Sequence, residues 1–543
     1  MWATRFQDKL KNVSSEKIWA EYCGFLELDI EQYMTIQRRL MLEQLSLWKN
    51  CSLGKHMLKG AVADSADTFR GTFPLTTYSD YADTLLMRRD EMLPDTPTIW
   101  IQTTWEGGRH PVKLAPYTPG MLNTFKHNIM SCMILATSSG YGKFDIAPGN
   151  TFLYGLAPLP YATGLLPRVI CDEVDIEFLP SVREAEKMSF SECNKLGFKL
   201  GMTKGIDYFF GLGSVVYYVS LSLSQMGKGD SGKKSLSPAM AIRYLRAKSR
   251  AKEENRSLMP KDFFKLKGFM VAGTDNNCYK DELEQMWGIR PLEVFAGTEP
   301  TCVGCETWNR DGMYFFPDAC FYEFLPEDEA ARSKADPSYQ PRTLLMDEVV
   351  AGEKYELVVS VFKGGAFMRY RVGDMYRCLG IGSAADKSAL PRFAYIDRTP
   401  DVIDIAGFTR ISEVSIDRVV KLSGLSVAGW VAAKEFTPEG KPFLHMYVEL
   451  EAASLANVAV SREILRDQLS IYFKYIDSDY KDLKRILGMD PLEITILRCG
   501  SFEKYTEKTG RTLRRLSPPA HELKELITLQ EFAPLVTGRG RLL

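Results

Sequence analysis

The stretch Val271 to Glu299, VAGTDNNCYKDELEQMWGIRPLEVFAGTE, decides the fold. Gly268 to Ala272 reads as a strand that ends at Gly273, Asp281 to Trp287 as a helix, and Leu292 to Ala296 as a second strand that ends at Gly297. A strand-helix-strand unit with small residues at both strand exits is a parallel unit. Its loops gather at the carboxyl ends of the strands, where ligands of open α/β sheets bind. A site is therefore predicted where Ala272 to Asp275 and Phe295 to Glu299 meet.

Outward from this unit the pattern continues. Ser15 to Cys51 carries apolar residues at mixed three- and four-residue steps, the mark of packed amphipathic helices. Thr98 to Ile101 is a short strand that runs into a loop holding Gly107 and Gly108. Phe152 to Leu159 and Val174 to Leu179 read as strands, Phe190 to Tyr208 as a helix, and Lys228 to Ser237 as a Gly, Ser and Lys loop. Ile146 to Pro167 and Tyr208 to Gly227 are uncharged and long enough to span a bilayer. Prolines interrupt the first and glycines and serines the second, so both are expected to be buried soluble structure. A boundary is expected over Asp397 to Ile411, where a proline- and glycine-bearing linker precedes a final section with its own alternation of strand and helix.

Composition excludes several classes. The chain has 543 residues, with 45% hydrophobic and 25% charged, which suits folded cores and not a disordered or collagen-like polymer. Lys and Arg total 68 against 69 Asp and Glu, so no global field attracts nucleic acid or an anionic membrane. The opening residues lack an apolar signal core and the 11 cysteines are scattered, which predicts a cytoplasmic, reducing setting. Cys302 and Cys305 form an isolated C-x-x-C with no second pair or nearby histidine, a pattern of structural thiols. No intact Walker loop, dinucleotide fingerprint or G-x-S-x-G is present, which argues against P-loop ATPase, dehydrogenase and hydrolase chemistry.

Four segments taken together carry a resemblance: FRGTFPLTTYSDYADTL (Phe69 to Leu85), QTTWEGGRHPVKLAPYT (Gln102 to Thr118), the Val271 to Glu299 stretch, and FMRYRVGDMYR (Phe367 to Arg377). The chain resembles the Gretchen Hagen family of acyl-acid amido synthetases within the adenylate-forming superfamily. The resemblance implies an α/β protein with a large N-terminal adenylation domain of sheets and helices, residues 1–397, and a small mobile α+β lid domain, residues 398–543. It implies ATP and Mg²⁺ as cofactors, with a small carboxylic acid and an amino acid as substrates and neither nucleic acid nor membrane as partner.

The resemblance also implies roles. Thr103, Thr104, Gly107, Gly108 and Lys113 would hold the phosphates of ATP through hydroxyls, backbone N–H groups and one ammonium. Glu106 interrupts that loop with the wrong charge, and Arg109 offsets it. Ala272, Gly273 and Thr274 would border adenine, Phe295 would stack on it beside Gly297, Thr298 would contact the α-phosphate, and Glu299 would hold Mg²⁺, a hard cation that prefers carboxylate oxygen. Asp374 would accept two hydrogen bonds from ribose hydroxyls, with Gly373 permitting close approach. Arg398 matches a ribose- or phosphate-contacting arginine near the hinge, where Pro400 replaces the usual charged residue and moves the pivot toward Asp401. No lysine matches the C-terminal cation. Arg511, after Gly510, takes its place in one alignment, and Arg515 or Ser517 in another.

The expected reaction is adenylation of a carboxylic acid followed by transfer of the acyl group to an amino-acid amine. Two alternatives stay open: a ligase that forms a thioester with CoA, and a non-catalytic nucleotide-binding protein. The acid, the amine and the oligomeric state are not legible in the sequence.

Overall fold

The computed structural model describes residues 4–103, 110, 112–188, 190–224, 237–336, 338–399, 402–406, 409–438, 440–451, 458–476 and 490–529. The chain divides into two compact units, the first Met1–Thr104 and Val112–Ile396, the second Trp105–Pro111 and Asp397–Leu543.

The strands of the first unit are β1 Ile99–Gln102, β2 Leu114–Tyr117, β3 Thr151–Gly155, β4 Glu177–Leu179, β5 Tyr208–Leu212, β6 Gly268–Ala272, β7 Leu292–Gly297, β8 Thr301–Glu306, β9 Met313–Phe315, β10 Cys320–Pro326, β11 Lys354–Val361, β12 Tyr370–Ser383 and β13 Ser388–Arg398. β1 and β2 form a separate antiparallel ribbon, and the remaining strands join in one mixed sheet in the order β10-β11-β12-β13-β9-β8-β7-β6-β5-β3-β4. From β7 through β6, β5 and β3 to β4 all pairs are parallel. β7 with β8, β8 with β9, β9 with β13, and β10 with β11 and β11 with β12 are antiparallel. The predicted strand-helix-strand unit is present as β6, helix Lys280–Trp287 and β7, and it lies where the parallel half meets the antiparallel half.

Several expected elements are shorter. The strand predicted over Phe152 to Leu159 stops at Gly155, since Pro158 and Pro160 have no N–H to continue a ladder. The strand predicted from Val174 starts only at Glu177. The helix predicted through Tyr208 ends at Lys204, followed by Gly205 at φ 101°, and Tyr208 opens β5. Tyr208 to Ser224 is thus strand plus helix Gly213–Ser224, and no helix among the described residues is long and apolar enough to cross a membrane. The loop expected over Lys228 to Ser237 lies outside the described residues, except Ser237.

The N-terminal helices position the strand that matters most for the site. Helix Ile30–Asn50 starts from an Asp29–Gln32 capping box and buries Tyr33, Met34, Leu40, Met41, Leu45 and Trp48 along one face. On the same face Gln44 donates to Gly365 O at 2.8 Å and accepts from Gly364 N at 2.8 Å, which fixes the turn before β12. The Phe69 to Leu85 segment grips β12 itself. Thr76 N donates to Arg369 O and Arg371 N donates to Thr76 O, both at 2.9 Å. Arg369, 3% exposed, makes a forked pair with the fully buried Glu323 at 2.9 to 3.2 Å, and Arg70 adds a second guanidinium at 3.3 Å.

In the second unit β14 Val402–Ile405 and β15 Thr409–Ser412 form a hairpin. β16 Val427–Phe436, β17 Pro442–Leu450 and β18 Leu492–Leu497 form a sheet, antiparallel then parallel. Alternation sends Trp430, Ala432, Leu444, Met446 and Ile494 to one face with Leu465 and Leu469, and Val431, Ala433, Tyr447 and Leu497 to the other with Tyr505, Leu523 and Leu526. Helices cover both faces.

Burial works to raise the Glu323 carboxyl, but Arg369 and Arg70 outweigh it and hold its pKa below the usual range. A depressed carboxylate contributes stability that is present above its unfolded pKa of about 4.3 and is lost as pH falls through the folded value. Glu323→Gln leaves Arg369 buried without its charge partner, so at pH 7 the variant should be about 3–5 kcal/mol less stable. In chemical denaturation across pH 2.5–7 the gap between parent and variant should close on the acid side of about pH 4. A gap independent of pH would refute this ion pair's role.

Candidate nucleotide site

Glu299 sits at the tip of a tight hairpin. β7 and β8 pair down to Gly297 and Thr301, leaving Thr298, Glu299 and Pro300 as the turn. Thr301 closes it in the left-handed region at φ 65°, a conformation rare for a β-branched residue and kept only where neighbours over-determine it. Those neighbours are visible. Tyr117 Oη donates to Thr298 O at 2.8 Å, and Cys320 Sγ to Pro300 O at 3.3 Å.

The Glu299 carboxylate is itself held. Tyr370 Oη donates to Oε1 at 2.7 Å, and Lys113 Nζ lies 3.8 Å from the same oxygen. Lys113 leads into β2. Its backbone is clamped by Thr103, whose N–H donates to Lys113 O at 3.0 Å and whose hydroxyl accepts from Lys113 N at 3.2 Å. The Lys113 ammonium lies 5.8 Å from the ring centre of Tyr78. Burial, with Glu299 acting in the same direction, pushes the Tyr78 phenol up to about 12, so it stays neutral and its oxygen accepts from Leu114 N at 2.7 Å.

Asp374 lies inside β12, in a bulge. Arg371 opposes Val358 and Met375 opposes Glu356, so Val372, Gly373 and Asp374 together face Leu357. Gly373 takes φ 83°, the freedom that the extra residues require. On either side of the bulge a tyrosine reaches the β7–β8 hairpin: Tyr370 bonds Glu299, and the Tyr376 ring packs edge-on against Phe295 at 5.2 Å between centroids. Asp374 is thereby bracketed by two side chains anchored on Phe295 and Glu299. At the neighbouring exit of β6, Ala272 ends the strand, Gly273 turns at φ 99°, Thr274 is buried, and Asp275 takes φ 61°.

Of the predicted residues, Thr103, Lys113, Gly297, Thr298 and Glu299 come together through these contacts, with Phe295 and Asp374 tied in by the two tyrosines. Ala272, Gly273 and Thr274 stand on the strand next to Phe295. Thr104, Gly107 and Gly108, with Glu106 and Arg109, lie outside the described residues, as do Pro400 and Asp401. Arg398 and Arg511 belong to the second unit. Arg398 N donates to Asp397 Oδ1 at 2.8 Å, and Asp397 pairs with Lys434 at 3.2 Å. Arg511 is exposed just after helix Ser501–Thr509 and Gly510. Arg515, the other candidate cation, is engaged with Glu413 and Asp417 at 3.3 Å each, and with the ring of Trp430.

Sequence reasoning passed over Tyr78, Tyr117 and Tyr370. All lie within the quoted segments, and the available signal was hydroxyl-bearing aromatics beside the residues chosen for chemistry.

Whether Glu299 suits Mg²⁺ is decided by its donor set. Among the described residues no group of three or more His, Cys, Asp or Glu could hold a metal ion. One carboxylate beside a lysine fits a cation held mainly by phosphate and water, the usual manner of Mg²⁺.

Over 94% of its length the chain superposes on 94% of a 2-hydroxyisobutyryl-CoA ligase solved with 2-HIB-AMP and CoA, at TM-score 0.54 and 16% identity. The chain therefore shares the overall fold of that protein. Residues 313–398, which include β12 and Asp374, match the GH3 family central domain, and part of the chain is similar to GH3 acyl acid amido synthetases. It is 26% identical over 262 residues to a probable indole-3-acetic acid-amido synthetase of Oryza sativa subsp. japonica, covering 42% of this chain and 40% of that protein. To a jasmonoyl-L-amino acid synthetase of Nicotiana attenuata it is 25% identical over 201 residues, covering 35% and 31%. The matches thus span about two fifths or less of these curated relatives.

Tyr370→Phe removes one donor from a buried carboxylate and leaves the ring in place. It should fold and lose about 1–3 kcal/mol of stability in urea denaturation. A variant as stable as the parent would show that the Tyr370–Glu299 bond does not order the hairpin.

Proposed function

We propose that this protein is an ATP-dependent ligase that activates a small carboxylic acid as its acyl-adenylate and transfers the acyl group to the amine of an amino acid. The observation that carries the reading is that Lys113 and the two tyrosines flanking the Asp374 bulge all reach the β7–β8 hairpin at Glu299 and Phe295, with a match to the GH3 family central domain over the bulge.

In the first half-reaction a carboxylate oxygen of the acid attacks the α-phosphorus of ATP, an O–P bond forms, and pyrophosphate leaves. Lys113 and the segment from Thr103 to Gly108 hold the leaving phosphates in line. Asp374 fixes the ribose, Phe295 and the Gly273 turn hold the adenine, and Thr298 contacts the α-phosphate. Glu299 holds Mg²⁺, which when bound neutralises the charge that gathers on the phosphates. The rest is positioning and electrostatic stabilisation. In the second half-reaction the amine nitrogen attacks the acyl carbon, AMP leaves and a proton is released, giving the amide. Residues 398–543 act as the lid between the two, with Arg398 on ribose or phosphate and Arg511 as the cation for the α-phosphate. Arg511 is preferred to Arg515 because the latter is already paired with two carboxylates.

A thioester ligase shares the first half and differs in the nucleophile. The fold likeness to a CoA ligase keeps it as the second reading.

The reading is tested by AMP release from ATP and Mg²⁺ with a panel of aromatic, indolic and aliphatic acids, with amino acids or with CoA. Release that needs acid plus amino acid is expected. Dependence on CoA would move the chain to the thioester class, and no release with any pair would overturn the enzyme. Glu299→Gln should abolish the release without unfolding the protein. Asp374→Ala removes the acceptor for the ribose hydroxyls; loss of even one charge-assisted hydrogen bond, worth about 1.5–3 kcal/mol, should weaken ATP binding at least roughly 10-fold. Unchanged titration of that variant would remove Asp374 from the site.

A further inference from the structure

Behind the exit of β6 lies a buried ionic group that the proposed chemistry does not use. Lys280 Nζ contacts Glu293 Oε2 at 2.6 Å and Glu306 Oε1 at 2.8 Å, and the three side chains are 3%, 7% and 3% exposed. Glu306 Oε2 accepts from Glu293 N at 2.8 Å. The remaining oxygen, Glu293 Oε1, accepts from Asn276 Nδ2 at 3.1 Å, and Nδ2 also donates to Gly273 O at 2.8 Å.

Asn276 is 2% exposed and its amide has one orientation open to it. Nδ2 faces two acceptors, so a flip would set Oδ1 against a carboxylate and a carbonyl. Oδ1 lies against Gly213, where a Cβ would come within 2.4 Å of it. The residues thus fixed are unusual. Gly273 and Asp275 both have positive φ, at 99° and 61°, conformations that persist when the surroundings impose them. Buried ion groups are a poor means of gaining stability, because several kcal/mol of desolvation per ion offset their attraction. A rigid carboxylate placed at Asn276 is what this one supplies. Because Glu293 stands two residues before Phe295 on β7, the same contact sets the β6 exit in register with the β7 exit.

We infer that Asn276 is a positioning residue for the nucleotide: anchored on the Lys280–Glu293–Glu306 group, it aims the Gly273 carbonyl and holds the Gly273–Asp275 turn in the shape that receives the adenine. The inference rests on the preceding reading, in which that turn borders adenine.

The test uses the full chain, ATP titration, steady-state kinetics and thermal unfolding. N276D is isosteric but replaces the donor by an acceptor, so it should raise the Kd and KM for ATP at least tenfold while kcat at saturating ATP changes less than threefold. The double variant N276D/E293Q restores the buried charge and a hydrogen bond at that contact with reversed polarity, but still offers no donor to Gly273 O. Its melting temperature should return toward the parent while ATP affinity stays weak. Recovery of ATP affinity together with stability would make the group merely structural, and parent-like affinity of N276D would end the proposal. N276A, which adds no charge, replaces N276D if the latter does not fold, with the same loss expected. Asp374→Ala runs alongside. If it loses affinity and the Asn276 variants do not, only the positioning role fails. If it also binds like the parent, or the parent binds no ATP, the site reading falls and the inference with it.

Discussion

The forked pairing of Arg369 with Glu323 fixes the start of β12, and most of the candidate site hangs from that strand. Glu323 lies on β10 and Arg369 immediately precedes β12, so the pair spans the intervening strand and is closed from outside by Arg70 and Thr343. A guanidinium suits this place because its planar fork meets both carboxylate oxygens at once and its other N–H groups reach backbone carbonyls of Arg70 and Phe73. With residue 369 immobile, Tyr370 reaches Glu299, the bulge presents Asp374, and Tyr376 meets Phe295. The N-terminal helices and the Phe69 to Leu85 segment, to which no chemistry is assigned, therefore bear directly on the geometry of the candidate site.

Departures from regular backbone gather at the same places. β12 bulges at Asp374 with Gly373 at positive φ, β7–β8 closes on a left-handed Thr301, and β6 exits through Gly273 and Asp275. Each departure is tied to another element by side chains: Tyr370 and Tyr376 join the β12 bulge to the β7–β8 hairpin, Tyr117 from β2 bonds that hairpin, and Asn276 joins the β6 turn to Glu293 on β7. Bulges and strained turns re-aim side chains that a regular strand would send to the wrong face. The rigidity of the site is thus built from a few long-range hydroxyl, amide and ring contacts.

How much of this the sequence discloses follows from the range of the interactions. The β6–helix–β7 unit is legible since apolar runs and glycine exits are local signals, and Lys113, Phe295, Glu299 and Asp374 are legible through motif spacing. The bulge at Asp374 is not, because it is defined only by the partner strand, in which Leu357 opposes three residues. Tyr370, Tyr117 and Tyr78 escape for the same reason: a phenol's partner is chosen by the fold. Lys280 is the clearest case. In YKDELEQMW it reads as one more charge on a solvated helix face, yet Glu306 from β8 and Glu293 from β7 enclose it. Burial first pulls its ammonium down, but the two carboxylates overcome that and keep it above its ordinary value.

The pairing of Lys113 with Glu299 bears on how such a site would stay both stable and open to the phosphates of the proposed reaction. At 3.8 Å the two charges attract without a close hydrogen bond. Tyr370 supplies the short contact to the carboxylate, and Thr103 fixes the lysine through its backbone. The lysine backbone is thus placed by main-chain and hydroxyl bonds, while one carboxylate oxygen is already oriented. A tighter ion pair would have to be broken for either group to engage a phosphate or a cation, whereas this looser one keeps both charges balanced and both partners aimed. The tyrosine therefore does two things at once: it orders a strained hairpin, and it relieves the lysine of being the carboxylate's closest partner.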